Sequence, residues 1–371
     1  MKFTVNSTEL QRALAKVSGV LPSKSTMPIL ETMLLTASAG TLTITGTDLD
    51  TALSVALPVS GSTDGSIAVP GKRFADTIRA LPDLAVTFEA DPANMRITVK
   101  TGPGTYALTG ESAAEFPQQP EFKGTVEMTF DTGLLKRVIH QTAFAVSGDE
   151  LRPAMMGVLF QTKGAELRAV STDGHRLVRY TISGAKTPAL KKDIIIPVKA
   201  LNLVSRTLEG KECRVSVGDA HVRFQADSTI ITSRLIDEAY PNYESVIPQD
   251  NTRVMTVGRD AIMSSLRRVA LYASATTHQV RLGIGEGVLS IGAQDVDFGG
   301  EAKETIPCAF DGDPMEIGFN ATYVVDILSH LDAEEAVFRF SSPTRAGIVA
   351  PSGPREGEDV LMLVMPVRLN A

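Results

Sequence analysis

Apolar and polar positions along the chain follow two rhythms. Leu10, Ala13, Leu14 and Val17 recur at the i, i+3, i+4, i+7 spacing of a core-facing helical stripe, with Glu9, Arg12 and Lys16 on the other face. The stripe predicts a helix over 7–20, and further helices are predicted over 72–81, 132–145, 199–211, 259–268 and 321–331. The runs TLTITG (41–46), MRITVKT (95–101), VRFQA (222–226) and VFRF (337–340) alternate with a period of two, as strands with one buried face do. Together they predict an α+β fold.

The pattern repeats. FTVNSTELQRAL from Phe3 is echoed by MTFDTGLLKRVI from Met128 and MTVGRDAIMSSL from Met255, which aligns Leu10, Leu135 and Ile262. TDL at 47–49, TDG at 172–174 and QDV at 294–296 align Asp48, Asp173 and Asp295. A strand runs into a helix at IAVPGKRFADTIRAL from Ile67, IIIPVKALNLVSRTL from Ile194 and EIGFNATYVVDILSHL from Glu316, aligning Pro70, Pro197 and Asn320. Each landmark returns after roughly 125 residues, the mark of an internal repeat. The strand-then-helix unit also occurs twice within a third, as Val5 with Val69 and Phe130 with Ile196 show, so the chain reads as six half-units. Polar, proline-bearing stretches near 120–125 and 248–252 read as linkers, giving predicted domains 1–124, 125–251 and 252–371.

A chain of 371 residues exceeds what one hydrophobic core usually organises, in keeping with several domains. Its 43% hydrophobic and 21% charged residues are ordinary globular composition. No apolar run approaches the length of a membrane helix, and Met1 leads into a polar, strand-like segment; a cytoplasmic protein with no membrane partner is expected. Cys213 and Cys308, far apart and outside any metal-ligand spacing, argue against a disulfide framework and a zinc site.

A net charge of −7 argues at first against a polyanionic partner. The distribution reverses that reading. Five of the six predicted helices are net basic, so the remainder of the chain is more acidic than the whole. Repeated basic helices in an acidic protein suit a phosphate backbone on one side and solvent on the other. With no tryptophan, 5% aromatic residues and no base-reading module, the expected contact is electrostatic and independent of sequence.

Catalytic chemistry is hard to find. STDGHRL (171–177) holds a serine, an aspartate and a histidine, but neighbours at a strand end do not converge as a triad does. Asp173 and Gly174 read instead as a turn, the aspartate closing an Asx turn and the glycine supplying positive φ. His175 and Arg176 have no counterpart in the other repeats and are candidates for a role specific to the second domain. No phosphate loop and no paired-histidine spacing occurs among His140, His175, His221, His278 and His330. An enzyme is therefore disfavoured, and no cofactor or metal is expected; the competing reading is a repeat-built enzyme or carbohydrate-binding protein using the STDGHR turn. VLMLVMPVRLNA from Val360 reads as a strand buried on both faces, with Met365 and Pro366 suggesting a docked chain end.

MKFTV, TMPIL (26–30), TLTITGTDLD (41–50), STDGHRL, YPNY (240–243), IGFNATYVVDIL (317–328) and MPVRL (365–369) together resemble the bacterial sliding clamps, the beta subunits of DNA polymerase III. The resemblance runs the length of the chain. It implies three repeated domains of the DNA-clamp fold, each with two helices on the inner face and antiparallel sheets outside. Two chains would join head to tail as a ring-shaped homodimer around duplex DNA. Implied partners are the DNA polymerase III catalytic subunit, the clamp loader, translesion polymerases, ligase and mismatch-repair proteins, which use short linear motifs. The implied peptide pocket is lined by Met155, Thr172, Gly174, His175, Arg176, Leu177, Pro241, Val246, Asn320, Tyr323, Val364, Met365, Pro366, Val367 and Arg368. Implied DNA contacts are Lys24, Lys72, Arg73 and Arg152, joined by the helix cations Arg12, Lys16, Arg137, Lys199 and Arg206. Pro153 and Ala154 replace larger side chains of some members, Ser245 replaces a basic residue, and Asn370 and Ala371 extend the usual end.

Overall fold

A computed structural model describes residues 1–118, 122–124, 126–184, 190–296 and 298–369. Six α-helices lie among them: α1 (Ser7–Ser18), α2 (Gly71–Arg79), α3 (Thr132–Thr142), α4 (Val198–Thr207), α5 (Arg259–Val269) and α6 (Ala321–Ser329). All six predicted helices are present, and their ends have local causes. Asn6 caps α1 by accepting from Thr8 N at 2.8 Å and Glu9 N at 3.3 Å. The predicted stripe is its buried face, with Leu10, Ala13, Leu14 and Val17 at most 4% exposed. α3 stops short of residue 145 because Ala143–Ala145 tightens into a 3₁₀ turn. Asn320 caps α6 by accepting from Thr322 N at 2.9 Å. None of these helices is long and apolar enough to cross a membrane.

The chain packs as two compact units, residues 1–136 with 199–235 and residues 137–198 with 236–371. Unit 1 contains two antiparallel sheets. One has five strands in the order Ser60–Thr63, Lys2–Asn6, Ala85–Asp91, Arg96–Lys100, Thr105–Thr109. The other has eight, in the order Val126–Asp131, Glu212–Val217, His221–Ala226, Thr229–Arg234, Thr51–Pro58, Thr41–Thr47, Thr32–Ser38, Gly65–Pro70. This larger sheet joins two repeats, because Thr229–Arg234 pairs with Thr51–Pro58 in the register Ile230↔Ser54.

Unit 2 is built the same way. Its nine-stranded sheet runs Ile194–Pro197, Gly157–Lys163, Glu166–Thr172, Arg176–Ser183, Glu358–Val364, Gly347–Pro351, Glu335–Phe340, Arg253–Gly258, Ala309–Asp311. Its four-stranded sheet runs Gly300–Pro307, Val288–Asp295, Gln279–Gly285, Met315–Asn320. Here too the larger sheet joins two repeats, through Arg176–Ser183 against Glu358–Val364 with Tyr180 opposite Val360. The middle third of the sequence is thus divided between the units, since it contributes strands to both large sheets. The predicted alternating runs are all strands, and the aligned positions Leu10, Leu135 and Ile262 are all buried.

Of the two segments read as linkers, Pro120 and Thr125 lie outside the described residues, as do Asn370 and Ala371 at the chain end. The segment 248–252 does more than connect. Asp250 holds Arg345 through two 2.9 Å contacts, and Asn251 Nδ2 donates to the carbonyls of Arg339 and Ala346, both at 3.0 Å.

Candidate functional site

A cavity of about 790 Å³ opens in unit 2. Its floor is the outer surface of a core cluster: Leu177, Tyr243, Ile247, Ala346 and Leu363 belong to both. One wall is the 172–176 turn, which the sequence sets closely. Asp173 Oδ1 accepts from His175 N at 2.8 Å and Arg176 N at 2.9 Å, while Thr172 Oγ1 donates to Arg176 O at 2.7 Å. Gly174 has φ 92°, and a Cβ there would sit 3.2 Å from Arg152 Nη1. The predicted Asx turn is therefore present, closed by Asp173, while Ser171 Oγ points elsewhere and donates to Thr142 O at 2.7 Å. Asp48 makes the matching turn in the first repeat, accepting from Thr51 N at 2.7 Å.

Arg176 is fixed on every side. It donates to Asp173 Oδ2 at 3.1 Å, Asp326 Oδ2 at 2.6 Å and Phe144 O at 3.0 Å, and its guanidinium lies over the rings of Phe144 and Tyr323. The chain end adjoins this wall. Val364 is buried opposite Arg176 in the sheet, and Met365 N donates to His175 O at 2.8 Å, leaving the Met365 side chain 41% exposed at the cavity. Val367 N then donates to Gly318 O at 2.9 Å, an approach that leaves no room for a side chain at Gly318. The docked end expected from the sequence is docked against its own chain.

Nine of the predicted pocket residues line this cavity: Met155, Thr172, Gly174, His175, Arg176, Leu177, Pro241, Val246 and Met365. Tyr323 stands behind His175 with ring centroids 5.5 Å apart, Asn320 caps α6, Val364 is buried in the sheet, and Pro366, Val367 and Arg368 follow the tail beyond the wall. Beyond Val246, the sequence reading missed the lining residues Asn242, Tyr243, Ser245 and 247–250, along with Thr344, Arg345, Ala346 and Leu363. Tyr243 and Ile247 were legible as apolar residues around YPNY, whereas Arg345 shows its place only through its pairing with Asp250.

The predicted DNA-contacting cations divide into two sets. Arg12, Lys24, Lys72, Arg73 and Arg206 are exposed and form no ion pair among the described residues. The others are engaged. Lys16 pairs with Glu209 at 2.8 Å, Lys199 donates to Asp48 Oδ2, Arg152 pairs with Asp149 at 2.9 Å, and Arg137 pairs with Glu358 at 2.7 Å. In unit 1 the Glu209 carboxyl is held below the usual carboxylate range, first by Lys16 and then by Lys136 and Arg12, so three cations from α1 and α3 converge there. Among the described residues no group of three or more His, Cys, Asp and Glu is placed to hold a metal.

Known proteins place this architecture. A sliding clamp from Bartonella birtlesii, solved bound to griselimycin, superposes with a TM-score of 0.94 at 28% identity, each chain covered in full. The class is that of the DNA sliding clamp: three beta-clamp domains of helices and antiparallel sheets acting as a non-catalytic processivity factor. Models for the N-terminal, central and C-terminal domains of the DNA polymerase III beta subunit match residues 1–120, 129–242 and 244–368. Beta sliding clamps of Salmonella typhimurium and Escherichia coli K12 are each 33% identical over the whole of both chains. The chain belongs to the DNA polymerase III beta subunit family.

Proposed function

We propose that this chain closes head to tail with a second copy into a ring around duplex DNA, and that its cleft takes short linear peptides from the proteins it tethers. One regularity of strand pairing carries the reading. In the first repeat the strand after the TDL landmark, Thr51–Pro58, pairs with the last strand of the middle repeat's set, Thr229–Arg234. In the middle repeat the strand after TDG, Arg176–Ser183, pairs with the last strand of the third, Glu358–Val364. Among the described residues, the strand after QDV, Gly300–Pro307, and the last strand of the first repeat, Thr105–Thr109, each have a neighbour on one side only. The same rule pairs these two edges, and a second copy supplies the missing partner in a heterologous contact that closes after two chains. Exposed Tyr106 at one edge and exposed Leu271, Tyr272 and Phe298 around the other suit burial between copies.

The exposed cations Arg12, Lys24, Lys72, Arg73 and Arg206 face the duplex in this reading, with Lys16, Arg137, Arg152 and Lys199 adding to the field from within ion pairs. The domains are 1–124, 125–251 and 252–371, each junction bridged by a shared sheet. The cleft accepts an aliphatic and an aromatic anchor over its apolar floor, in the manner of the family's peptide pocket. Its occupants are the replicative polymerase's catalytic subunit, the clamp loader, translesion polymerases, ligase and mismatch-repair proteins, and the protein works in the cytoplasm. The test is topological. Protein loaded on nicked circular DNA should stay bound through gel filtration and be lost once the circle is cut to a linear form; equal retention on both would refute encirclement.

A further inference from the structure

A continuous stack of rings and one guanidinium runs through unit 2 from the cleft to α3. The His175 and Tyr323 rings lie 5.5 Å apart at 14°. The Arg176 guanidinium sits 5.1 Å from the Tyr323 centroid and 5.2 Å from that of Phe144. Phe144 stacks on His330 at 4.0 Å and 7°, and His330 lies 4.7 Å from His140 of α3. Only His175 and Arg176 of these residues line the cavity.

We propose that Phe144 and His330 are positioning residues for peptide binding, holding Arg176 in the cleft wall, and that neutral His330 is the form that does so. The proposal rests on reading the cavity as the partner-peptide cleft. Arg176 donates its hydrogen bonds to Asp173, Asp326 and the Phe144 carbonyl, but its flat faces are held by Phe144 and Tyr323. The Phe144 ring is in turn fixed by the imidazole stacked on it. His330 Nδ1 lies 2.8 Å from Asp326 O; a carbonyl only accepts, so Nδ1 carries the proton and Nε2 would take a second. Ser329 Oγ, 3.2 Å from Nδ1, adds a neutral contact.

The groups around His330 oppose that second proton. α3 presents His140, and one turn earlier Arg137, which is committed to Glu358. The 176–183 strand presents Arg176, the Ala143–Ala145 turn presents Phe144 and no charge, and the helix of His330 itself presents Asp326, already bound to Arg176. Burial pushes the His330 imidazole below the ordinary histidine value; the hydrogen bond to the Asp326 carbonyl and the Asp326 carboxylate act the other way, His140 and Arg176 act with burial, and the balance stays below. A proton on Nε2 therefore sets a cation in a half-buried site beside His140 and the Arg176 guanidinium. The stack relieves this by opening, which frees the faces of Arg176 and loosens the wall.

A labelled peptide from the C-terminal tail of a replicative polymerase reads the effect by fluorescence anisotropy with the full-length protein. Affinity should fall at least about fivefold between about pH 7.5 and about pH 5. His330→Phe keeps a ring on Phe144 with no nitrogen to titrate. It should bind as wild type at the higher pH and lose most of the fall. Phe144→Leu should weaken binding at both values. A fall of wild-type size in His330→Phe overturns the proposal and points to His175. Should that variant not fold, the wild-type His330 ring resonance decides: coupling is reciprocal, so saturating peptide should lower its midpoint, and an unmoved midpoint overturns the proposal. Truncation after Val364 serves as a separate control. If the truncated chain binds the peptide undiminished, the cleft reading itself fails, whatever the pH profile.

Discussion

Arg137 Nη2 donates to Glu358 Oε1 at 2.7 Å, and Tyr180 donates to the other oxygen of the same carboxylate. A helix cation that the sequence offers to DNA thus braces the junction strand Glu358–Val364. Tyr180 is 1% exposed, so this carboxylate is satisfied in a largely dry setting. Arg137→Glu should destabilise unit 2 by about 2 kcal/mol, because it removes the partner of a mostly buried carboxylate and adds a second one beside it. Chemical denaturation of the full chain measures the loss, and a change below about 0.5 kcal/mol would show that the pair is incidental.

Arg12 and Arg206 are the contrasting case. Both are exposed on their helices without an ion pair among the described residues. Arg12→Glu with Arg206→Glu should leave stability within about 0.5 kcal/mol per site. Association with duplex DNA should weaken at low salt, and the gap should narrow as salt rises, because release of counterions drives the contact. Undiminished low-salt affinity in the double variant would remove these helices from the DNA-facing surface.

The contrast shows what a sequence reveals and what it hides. Helix positions, strand runs and the Asx turn at Asp173 are local, written in spacing of 3.6 or 2 and in the turn chemistry of Asp and Gly, and each is legible. Ion pairing is not local. Arg137 and Arg206 occupy similar places on amphipathic helices, yet Arg137 meets a carboxylate from the far end of the chain. The cleft was half legible for the same reason: the turn and the tail announce themselves, whereas Arg345 and Ala346 join the wall only through distant partners, Asp250 and Asn251. Packing units were not legible at all, because the middle repeat lends strands to two sheets and no local signal records which neighbour a strand will choose.

Glu358 also sets an acid limit. Burial pushes its carboxyl up, but the hydrogen bonds from Arg137 and Tyr180 outweigh this and hold it below the ordinary carboxylate value. A group depressed in the folded state stabilises it above the ordinary value, and that contribution is lost as pH falls through the depressed one. The melting temperature of the wild type should therefore drop between about pH 5 and about pH 3 more steeply than that of Glu358→Gln, which is less stable at neutral pH and lacks this titration. Parallel curves would show that the carboxylate is not thermodynamically linked to folding.

Edge pairing between copies predicts the oligomeric state. Tyr106 is 38% exposed and Phe298 88% exposed, each near a sheet edge that lacks a neighbour among the described residues. Tyr106→Asp or Phe298→Asp should convert the two-chain species to a single chain in sedimentation equilibrium, since a charge buried at such an edge goes unpaired. Combining the two should add nothing once the contact is lost. A dimer that survives both changes would place its interface elsewhere.

Truncation after Val364 tests the cleft most directly. Residues 365–369 contribute the exposed Met365 wall and two backbone hydrogen bonds, from Met365 N to His175 O and from Val367 N to Gly318 O. The strand Glu358–Val364 remains paired with Arg176–Ser183, and its buried residues Met362, Leu363 and Val364 stay in place, so the fold should persist with a small loss of stability. Peptide affinity should fall sharply, because an anchor loses apolar contact worth roughly 25 cal/mol per Å² and the His175 carbonyl loses its partner. Met365→Ala, which keeps the backbone bonds, should cost about 1 kcal/mol of peptide binding and fall between wild type and truncation. Retention of the truncated protein on nicked circles should match wild type, separating partner binding from encirclement. If truncation weakened retention and peptide binding alike, the tail would be part of the ring's closure rather than a wall of the cleft.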